Sequence, residues 1–584
     1  MADLKPRDKR ESRGRPGPQS SGGAEAGADI PRGAQPGARI SRGWIVAGAV
    51  FLIGLIVRLA VYGQMRAWPL LQRTDVLADT RYYDMMARQV AAGDWIGNHP
   101  YFLSPAYYYA LGLAYAIFGP GGATILGLQV VLGALSCALA YAIGRKVLGE
   151  TAGRVAGLLL ALYAYFAYHN LVLLPDSFIL FLNLLALWVL VDLEERLSWK
   201  RALLAGVLIG VAAAGRANAV LLVPAAAVVV LLTKRFAQRE RLIACAALAG
   251  GCLLVIAPMT LRNYVVSKEF VPLTTTSGRN LWKGNGPGAT GAHRFLEEDD
   301  WGQGLQVYLS GNADPRTAVE DSRRLSAQAW SHMAAHPVAT AGLWLKKLGL
   351  FFHSHEFGIR DQFYFSQQYS SLLRILPVAF GWIAPLGLVG LVTALRRRRG
   401  GMLAAALITQ IASFTALFVL GRYRLVAAAI LALFAAWQLV QWADELRKRD
   451  FRRFALTAAA AVVLIALGHL PLPAYPRDEG FADQYLALGQ HYISSRDCAP
   501  AIDAFQKALV SDWLDQPYLE NVRNNARYRI ALCQLELGRL DEARATAAEL
   551  LARLEADPAA DARLVEVSRQ LQQEIERVSG ATTR

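Results

Sequence analysis

Ala78-Asp79-Thr80-Arg81-Tyr82-Tyr83-Asp84-Met85-Met86-Ala87-Arg88-Gln89-Val90-Ala91-Ala92-Gly93-Asp94-Trp95 is the most informative stretch of the chain. It predicts a short amphipathic helix ended by Gly93, placed just beyond the apolar run Trp44 to Tyr62. Ser104-Pro105-Ala106-Tyr107-Tyr108-Tyr109-Ala110-Leu111, with Phe118-Gly119, follows as a second interfacial helix. That helix leads into the next apolar run, Ala123 to Ile143. A polar helix carrying Asp79 is thus held between two membrane-length segments, so its acid sits at a membrane boundary. Asp84 and Asp94 read as helix-surface or cap residues.

Outward from there, the composition agrees. The chain has 584 residues, 54% hydrophobic and only 18% charged, against about 25% charged for a soluble domain. Runs such as Leu242 to Ala257 approach the roughly 20 apolar residues needed per crossing. Arg58 interrupts the first run and is expected to snorkel to the interface. A small soluble enzyme, a disulfide scaffold and a fibrous protein are excluded. The net charge of +15 is no nucleic-acid footprint, because most of it lies in short basic clusters beside the spans. Cys137, Cys245 and Cys252 lie inside apolar runs and read as core residues.

The basic clusters fix an expected topology. Arg145-Lys146 with Arg154, Lys200-Arg201, Lys234-Arg235 with Arg239 and Arg241, Arg396 to Arg399, and Arg447 to Arg453 all fall on one side. Placing them inside predicts spans near 43–63, 122–144, 153–168, 176–193, 202–215, 218–233, 241–259, 374–395, 401–420, 424–442 and 453–470. The fold class expected is therefore all-α, a multi-pass membrane protein of about 11 crossings. Residues 1–42, rich in Gly, Pro, Ser and Arg, read as a disordered cytoplasmic tail. The membrane domain spans 43–470, and 338–353, with Lys346 and Lys347, suits an interfacial helix. Three large segments, 64–121, 260–373 and 471–584, face outward, so chemistry or recognition is expected there.

Residues 471–584 carry an internal repeat. Tyr485, Leu488, Gly489, Tyr492, Ala501, Phe505 and Ala508 have the spacing of a tetratricopeptide helix pair, and a looser copy runs over about 524–557. A capping helix is expected at 559–578. So short an array leans on a neighbour, either as a stabilising cap or as a docking surface for a partner. Cys498 and Cys533 fall where stacked pairs approach, and on an oxidising side they can form a disulfide.

The first outer segment resembles the membrane glycosyltransferases of the GT-C fold. The likeness is to family 39, which holds protein O-mannosyltransferases and lipid A aminoarabinose transferases. The shared order is an acid, a Tyr and an Ala on a helix, then Gly93-Asp94-Trp95, then the Pro105, Tyr107 and Tyr108 helix. Further likeness is carried by Pro175-Asp176, Gly215-Arg216-Ala217-Asn218, Arg262-Asn263-Tyr264 and Ser277-Gly278-Arg279-Asn280-Leu281-Trp282-Lys283-Gly284-Asn285. His336-Pro337, Lys347-Leu348, Glu356 and Arg422-Tyr423-Arg424-Leu425 complete it, over about 44–440. One departure is Ala78-Asp79, where the best-known branches show Asp-Glu.

The resemblance implies transfer of a sugar from a polyprenyl-phosphate donor to a protein, lipid or glycan acceptor on the outer face of a bacterial inner membrane. The N-terminus would be cytoplasmic and the C-terminus periplasmic. Membrane lipids but no nucleic acid would be partners, and where the tetratricopeptide-like module is a docking surface rather than a cap, its occupant would be the protein or glycolipid acceptor. Nucleotide sugars are cytoplasmic, so an outer-face donor has to arrive on a lipid. The chemistry wants a carboxylate to deprotonate the acceptor and cations to take up charge on the departing phosphate. Asp79 and Asp176 are the catalytic candidates. Tyr82, Tyr83, Arg216, Arg262, Arg279, Lys283, Asn285, Glu356, Arg422 and Arg424 are the substrate-binding ones.

Each has a plainer reading. Arg422 and Arg424 can simply anchor a span end, although cations on the outer side run against the positive-inside bias. No cofactor is called for. Glu356 with His353 and His355 is the one place a divalent metal is conceivable, and such a loop cluster is more often structural. The competing class is a non-catalytic scaffold or a lipid-linked-sugar flippase. A scaffold has no use for Asp79 or a large polar outer loop, and a transporter should show charges within the spans or broken helices.

Overall fold

A computed structural model describes residues 42–74, 78–292, 314–358, 363–471, 481–510, 520–558 and 560–582. The expected tail over residues 1–41 lies outside them. Among the described residues there are helices and two isolated β-bridges but no strand. The chain enters through α1 (Arg42–Met65), α2 (Ala78–Ala91), α3 (Pro105–Phe118) and α4 (Gly122–Val147). Then come α5 (Glu150–Ala161), α6 (Ala164–His169), α7 (Asp176–Leu190), α8 (Trp199–Gly215), α9 (Leu222–Leu232) and α10 (Gln238–Ser267). The long segment between the apolar helices holds α11 (Ser277–Asn285), α12 (Thr317–Ala335), α13 (Pro337–Phe352), α14 (Phe363–Ser366) and α15 (Ser371–Ile375). The bundle closes with α16 (Phe380–Arg396), α17 (Gly401–Ala416), α18 (Leu425–Arg447) and α19 (Phe451–Gly468).

Among the described residues, six helical stretches are long and apolar enough to cross a membrane: Gly43–Met65, Gly122–Val147, Asp176–Glu194, Gln238–Ser267, Arg422–Arg447 and Phe451–Gly468. Three shorter apolar helices, Ala217–Leu232, Phe380–Arg396 and Gly401–Ala416, fall where the sequence predicts spans. The protein is an all-helical, multi-pass membrane protein. The expected crossing at 153–168 is broken, because α5 ends at Ala161 and α6 restarts at Ala164.

α18 is the bundle's central post. Leu425 to Gln438 is buried on every side, as a helix apolar all round must be. Small residues let neighbours close in. A Cβ on Gly206 would strike the carbonyl of Leu248, and one on Gly251 the carbonyl of Leu203, so α8 and α10 pack backbone to backbone. At the basic end, Lys146 pairs with Asp192 at 2.7 Å and ties α4 to the end of α7.

Arg58 departs from the sequence expectation. It does not snorkel but is fully buried inside the bundle, because α1 turns that face toward α4 and α6.

Beyond residue 480 lie α20 (Phe481–Ser494), α21 (Cys498–Leu509), α22 (Glu520–Glu536), α23 (Leu540–Ala556) and α24 (Ala562–Thr582). Gly489 faces the ring of Phe505, which lets α20 and α21 meet closely. Cys498 and Cys533 share one small buried cluster, and both are free thiols. Cys498 Sγ donates to Glu536 Oε2 at 3.0 Å. This helical tail rests on α14: Phe365 packs edge-on against Phe481 and Tyr485 at 5.4 and 5.2 Å. Arg73 Nη1 meets His491 Nδ1 at 2.8 Å.

Candidate active site

Asp79 stands in the first turn of α2, an N-terminal position that favours an anion. Its helix is fastened on three sides. Thr80 Oγ1 donates to the carbonyl of Leu173 at 2.8 Å. Asp84, far from being a surface residue, accepts from Tyr115 Oη at 2.6 Å, Arg88 Nε at 2.9 Å and Thr74 Oγ1 at 3.1 Å. Asp94 caps no helix; it accepts the amides of Ile96 and Gly97 in the bend after α2. Gly93, at φ +97°, ends the helical segment.

Asp176 opens α7, and Arg216 follows α8 in extended backbone. Arg216 Nη2 donates to Asp176 Oδ1 at 2.7 Å. Arg422, in a 3-10 turn (Arg422–Arg424) that leads into α18, places Nη2 3.5 Å from Asp79 Oδ2. Tyr423 joins the two pairs: the Arg216 and Arg422 guanidinium carbons lie 4.4 and 5.5 Å from its ring centroid. Two acids and two cations from α2, α7, the α8 end and the α18 start thus meet around one aromatic ring.

The pairs differ in access. The Asp176 side chain is 1% exposed and Asp79 25%, with Arg216 at 18% and Arg422 at 9%. Asp176 is therefore sealed behind Arg216, and Asp79 is the carboxylate a substrate can reach. Tyr83 is buried, edge-on to Tyr107 at 5.0 Å. Burial, then the charge of Asp79, pushes its phenol well above the ordinary range and keeps it protonated. Tyr82 is buried among Phe102, Tyr83 and Tyr108. His169, fully buried, puts Nδ1 3.9 Å from Asp176 Oδ2.

Several sequence candidates are engaged elsewhere. Arg424 does not face a substrate. Its guanidinium donates to the carbonyls of Phe351, His353 and His355 at 3.1, 2.7 and 2.7 Å and to Glu356 Oε2 at 2.6 Å. It also stacks 4.2 Å from the Phe380 ring. Glu356 Oε1 accepts from Tyr163 Oη at 2.8 Å, and burial raises its pKa while Arg424 opposes the rise. His353 Nε2 meets the carbonyl of Leu470 at 2.9 Å. Among the described residues no three His, Cys, Asp or Glu form a group able to hold a metal.

Arg262 is likewise committed. It donates to the carbonyls of Ile96 and His99 at 2.7 and 2.5 Å and covers the Tyr101 ring at 4.3 Å. Arg279 pairs with Asp321 at 2.6 Å and binds α11 to α12. Lys283 is buried. Asn285 is saturated: Nδ2 donates to the carbonyls of Leu281 and Ala416, and Oδ1 accepts from Lys347 Nζ at 2.7 Å and Trp344 Nε1 at 3.2 Å. Tyr423, His169 and Thr80 were not singled out in the sequence. Only Tyr423 left a signal there, as the aromatic between Arg422 and Arg424.

Fold and site together define an all-helical membrane protein with paired acids and cations at one end of its bundle. A family model described as dolichyl-phosphate-mannose-protein mannosyltransferase matches residues 98–261, a stretch holding Asp176 and Arg216. The solved oligosaccharyltransferase of Archaeoglobus fulgidus in its apo form is similar at 16% identity and TM-score 0.42, over 79% of this chain and 60% of that one. This chain therefore spans about three fifths of that enzyme's length. ArnT from Cupriavidus metallidurans bound to undecaprenyl phosphate is similar at 14% identity and TM-score 0.39, over 88% of this chain and 81% of that one. No curated protein sequence matches the chain.

Proposed function

We propose that this protein is a membrane glycosyltransferase that moves a sugar from a polyprenyl-phosphate donor to an acceptor hydroxyl or amine outside a bacterial inner membrane. The observation that carries the reading is the meeting of Asp79, Arg422, Tyr423, Arg216 and Asp176, in which only Asp79 is an accessible carboxylate. The family match to a dolichyl-phosphate-mannose-dependent transferase over 98–261 supports the same class.

In this reading the acceptor nucleophile attacks the anomeric carbon, its proton passes to Asp79, and the sugar–phosphate bond breaks. The leaving polyprenyl phosphate gains negative charge, which Arg422 and the rim of Arg216 meet electrostatically. Asp176 keeps Arg216 extended toward the site, and Tyr423 spaces the two cations. Arg424 and Glu356 hold the loop beneath. The basic clusters at the far ends of α4, α8 and α18 support an outer location for this site. The helical tail, read as a tetratricopeptide-like array over 471–584, lies beside the outer segments and suits an acceptor-docking role.

The test compares glycoconjugates by mass spectrometry in a strain lacking the protein, complemented with wild type or with Asp79→Asn. One sugar species should vanish on deletion, return with wild type and stay absent with the variant. An unchanged glycoconjugate profile on deletion would refute the reading.

A further inference from the structure

Arg58 is an ionisable residue within a span, wholly buried. Its guanidinium donates to the carbonyl of Gly54 at 2.9 Å and, through Nε, to Asn170 Oδ1. The group also lies over Phe166, 4.6 Å from the ring centroid. All these partners are neutral, and Nη2 has no hydrogen-bond partner among the described residues. A buried cation without a carboxylate is expensive to place in a membrane protein, and such residues mark function by default. α4 makes room for it: at Gly133 a Cβ would collide with both Arg58 Nε and Asn170 Oδ1.

What Arg58 grips is the connection that carries Asp176. Asn170 Nδ2 donates to Ser177 Oγ at 2.5 Å, and Ser177 Oγ donates to the carbonyl of His169 at 3.0 Å. Gln129 Nε2 holds the carbonyls of Asn170 and Val172 at 3.2 and 2.7 Å, and Tyr107 Oη donates to Gln129 Oε1 at 2.5 Å. The turn from His169 to Ser177 is thus clamped from α1, α3 and α4. Of these clamps only Arg58 is charge-assisted, the stronger and more directional kind.

We propose that Arg58 is a positioning residue of the active site: through Asn170 and Ser177 it sets the turn that aims Asp176 at Arg216. Being wholly buried, it touches no substrate. The proposal rests on the site reading given above.

The probe is undecaprenyl phosphate, titrated against the full chain in phosphatidylcholine nanodiscs, with thermal melting of each variant alongside. Arg216→Ala should weaken binding roughly ten-fold or more, the scale of a lost bond between charged groups. Arg58→Lys keeps the charge but loses the Nε bond, and should weaken binding to a similar degree. With Arg216 gone there is nothing left to aim, so the Arg58→Lys, Arg216→Ala double variant should bind no worse than Arg216→Ala alone. Ser177→Ala, which removes one oxygen, should show the same pattern at roughly three-fold and serves if Arg58→Lys fails to fold. Undiminished affinity in the folded Arg58→Lys and Ser177→Ala proteins, or losses that add to that of Arg216→Ala, would overturn the proposal while leaving the site reading intact. Undiminished affinity in Arg216→Ala and Arg422→Ala would instead remove the site reading, and this inference with it.

Discussion

Arg422 Nη2 stands 3.5 Å from Asp79 Oδ2, too long for a strong charge-assisted bond. The loose pair leaves a carboxylate with charge support and open lone pairs, the state a general base needs before substrate arrives. By contrast, the 2.7 Å contact between Arg216 and Asp176 is closed and buried.

Asp79→Asn should lower sugar transfer by roughly 10²-fold or more, since Asn keeps the shape without the basicity. Its melting temperature should match wild type, because Asp79 is partly exposed. Transfer above about a tenth of wild type would take Asp79 out of the base role.

Arg424→Met should be a stability lesion. It strands a buried Glu356 and three carbonyls, a loss of roughly 3–5 kcal/mol on the scale of broken buried pairs. Thermal unfolding in detergent reads it. Adding Glu356→Met should recover part of the loss, as expected when both members of a buried pair become apolar.

Lys347 gives stability a pH signature. Burial lowers its pKa to about 7 from 10.5. Below about pH 7 both states carry the proton, and the folded state bears the full cost of a buried charge. As pH rises from about 7 to 10.5 the unfolded chain holds more protons than the folded one, so stability should climb. Lys347→Met should flatten that climb in melts taken across the window.

For topology, single cysteines at Ala289 and Gly580 in a cysteine-free background should react with a membrane-impermeant maleimide from outside. Reaction of either only after the inner side is opened would break the count of eleven crossings.

Much of the site was legible because charge and position within a span are one-dimensional. Asp176, Arg216 and Arg422 each sit at the predicted outer end of an apolar run, and Asp79 on the polar helix that follows one. Side-chain direction is not one-dimensional. Arg58 and Arg424 look in sequence like residues that reach for the interface or a phosphate, yet both turn inward. The reason is that their partners are backbone carbonyls, an amide and, for Arg424, a Glu356 that lies 68 residues away in sequence, none of which the local pattern reveals. Asn285 and Arg262 looked like ligand contacts for the same reason, and the structure gives Arg262 to the carbonyls of Ile96 and His99 and Asn285 to α13, its own helix α11 and the end of α17. The break between α5 and α6 was hidden too, since Leu162 and Tyr163 continue the apolar run while α6 stops at His169.

Phe363 and Phe365 share a single helical turn but serve different neighbours. Phe363 packs on Tyr165 and Tyr168, which flank His169 beside Asp176, while Phe365 is sandwiched by the tail's Phe481 and Tyr485. The tail is therefore seated on the same four residues that pack against the aromatics around His169. It cannot be exchanged for another fold by splicing at the last span, because the replacement would have to present the same aromatic seat.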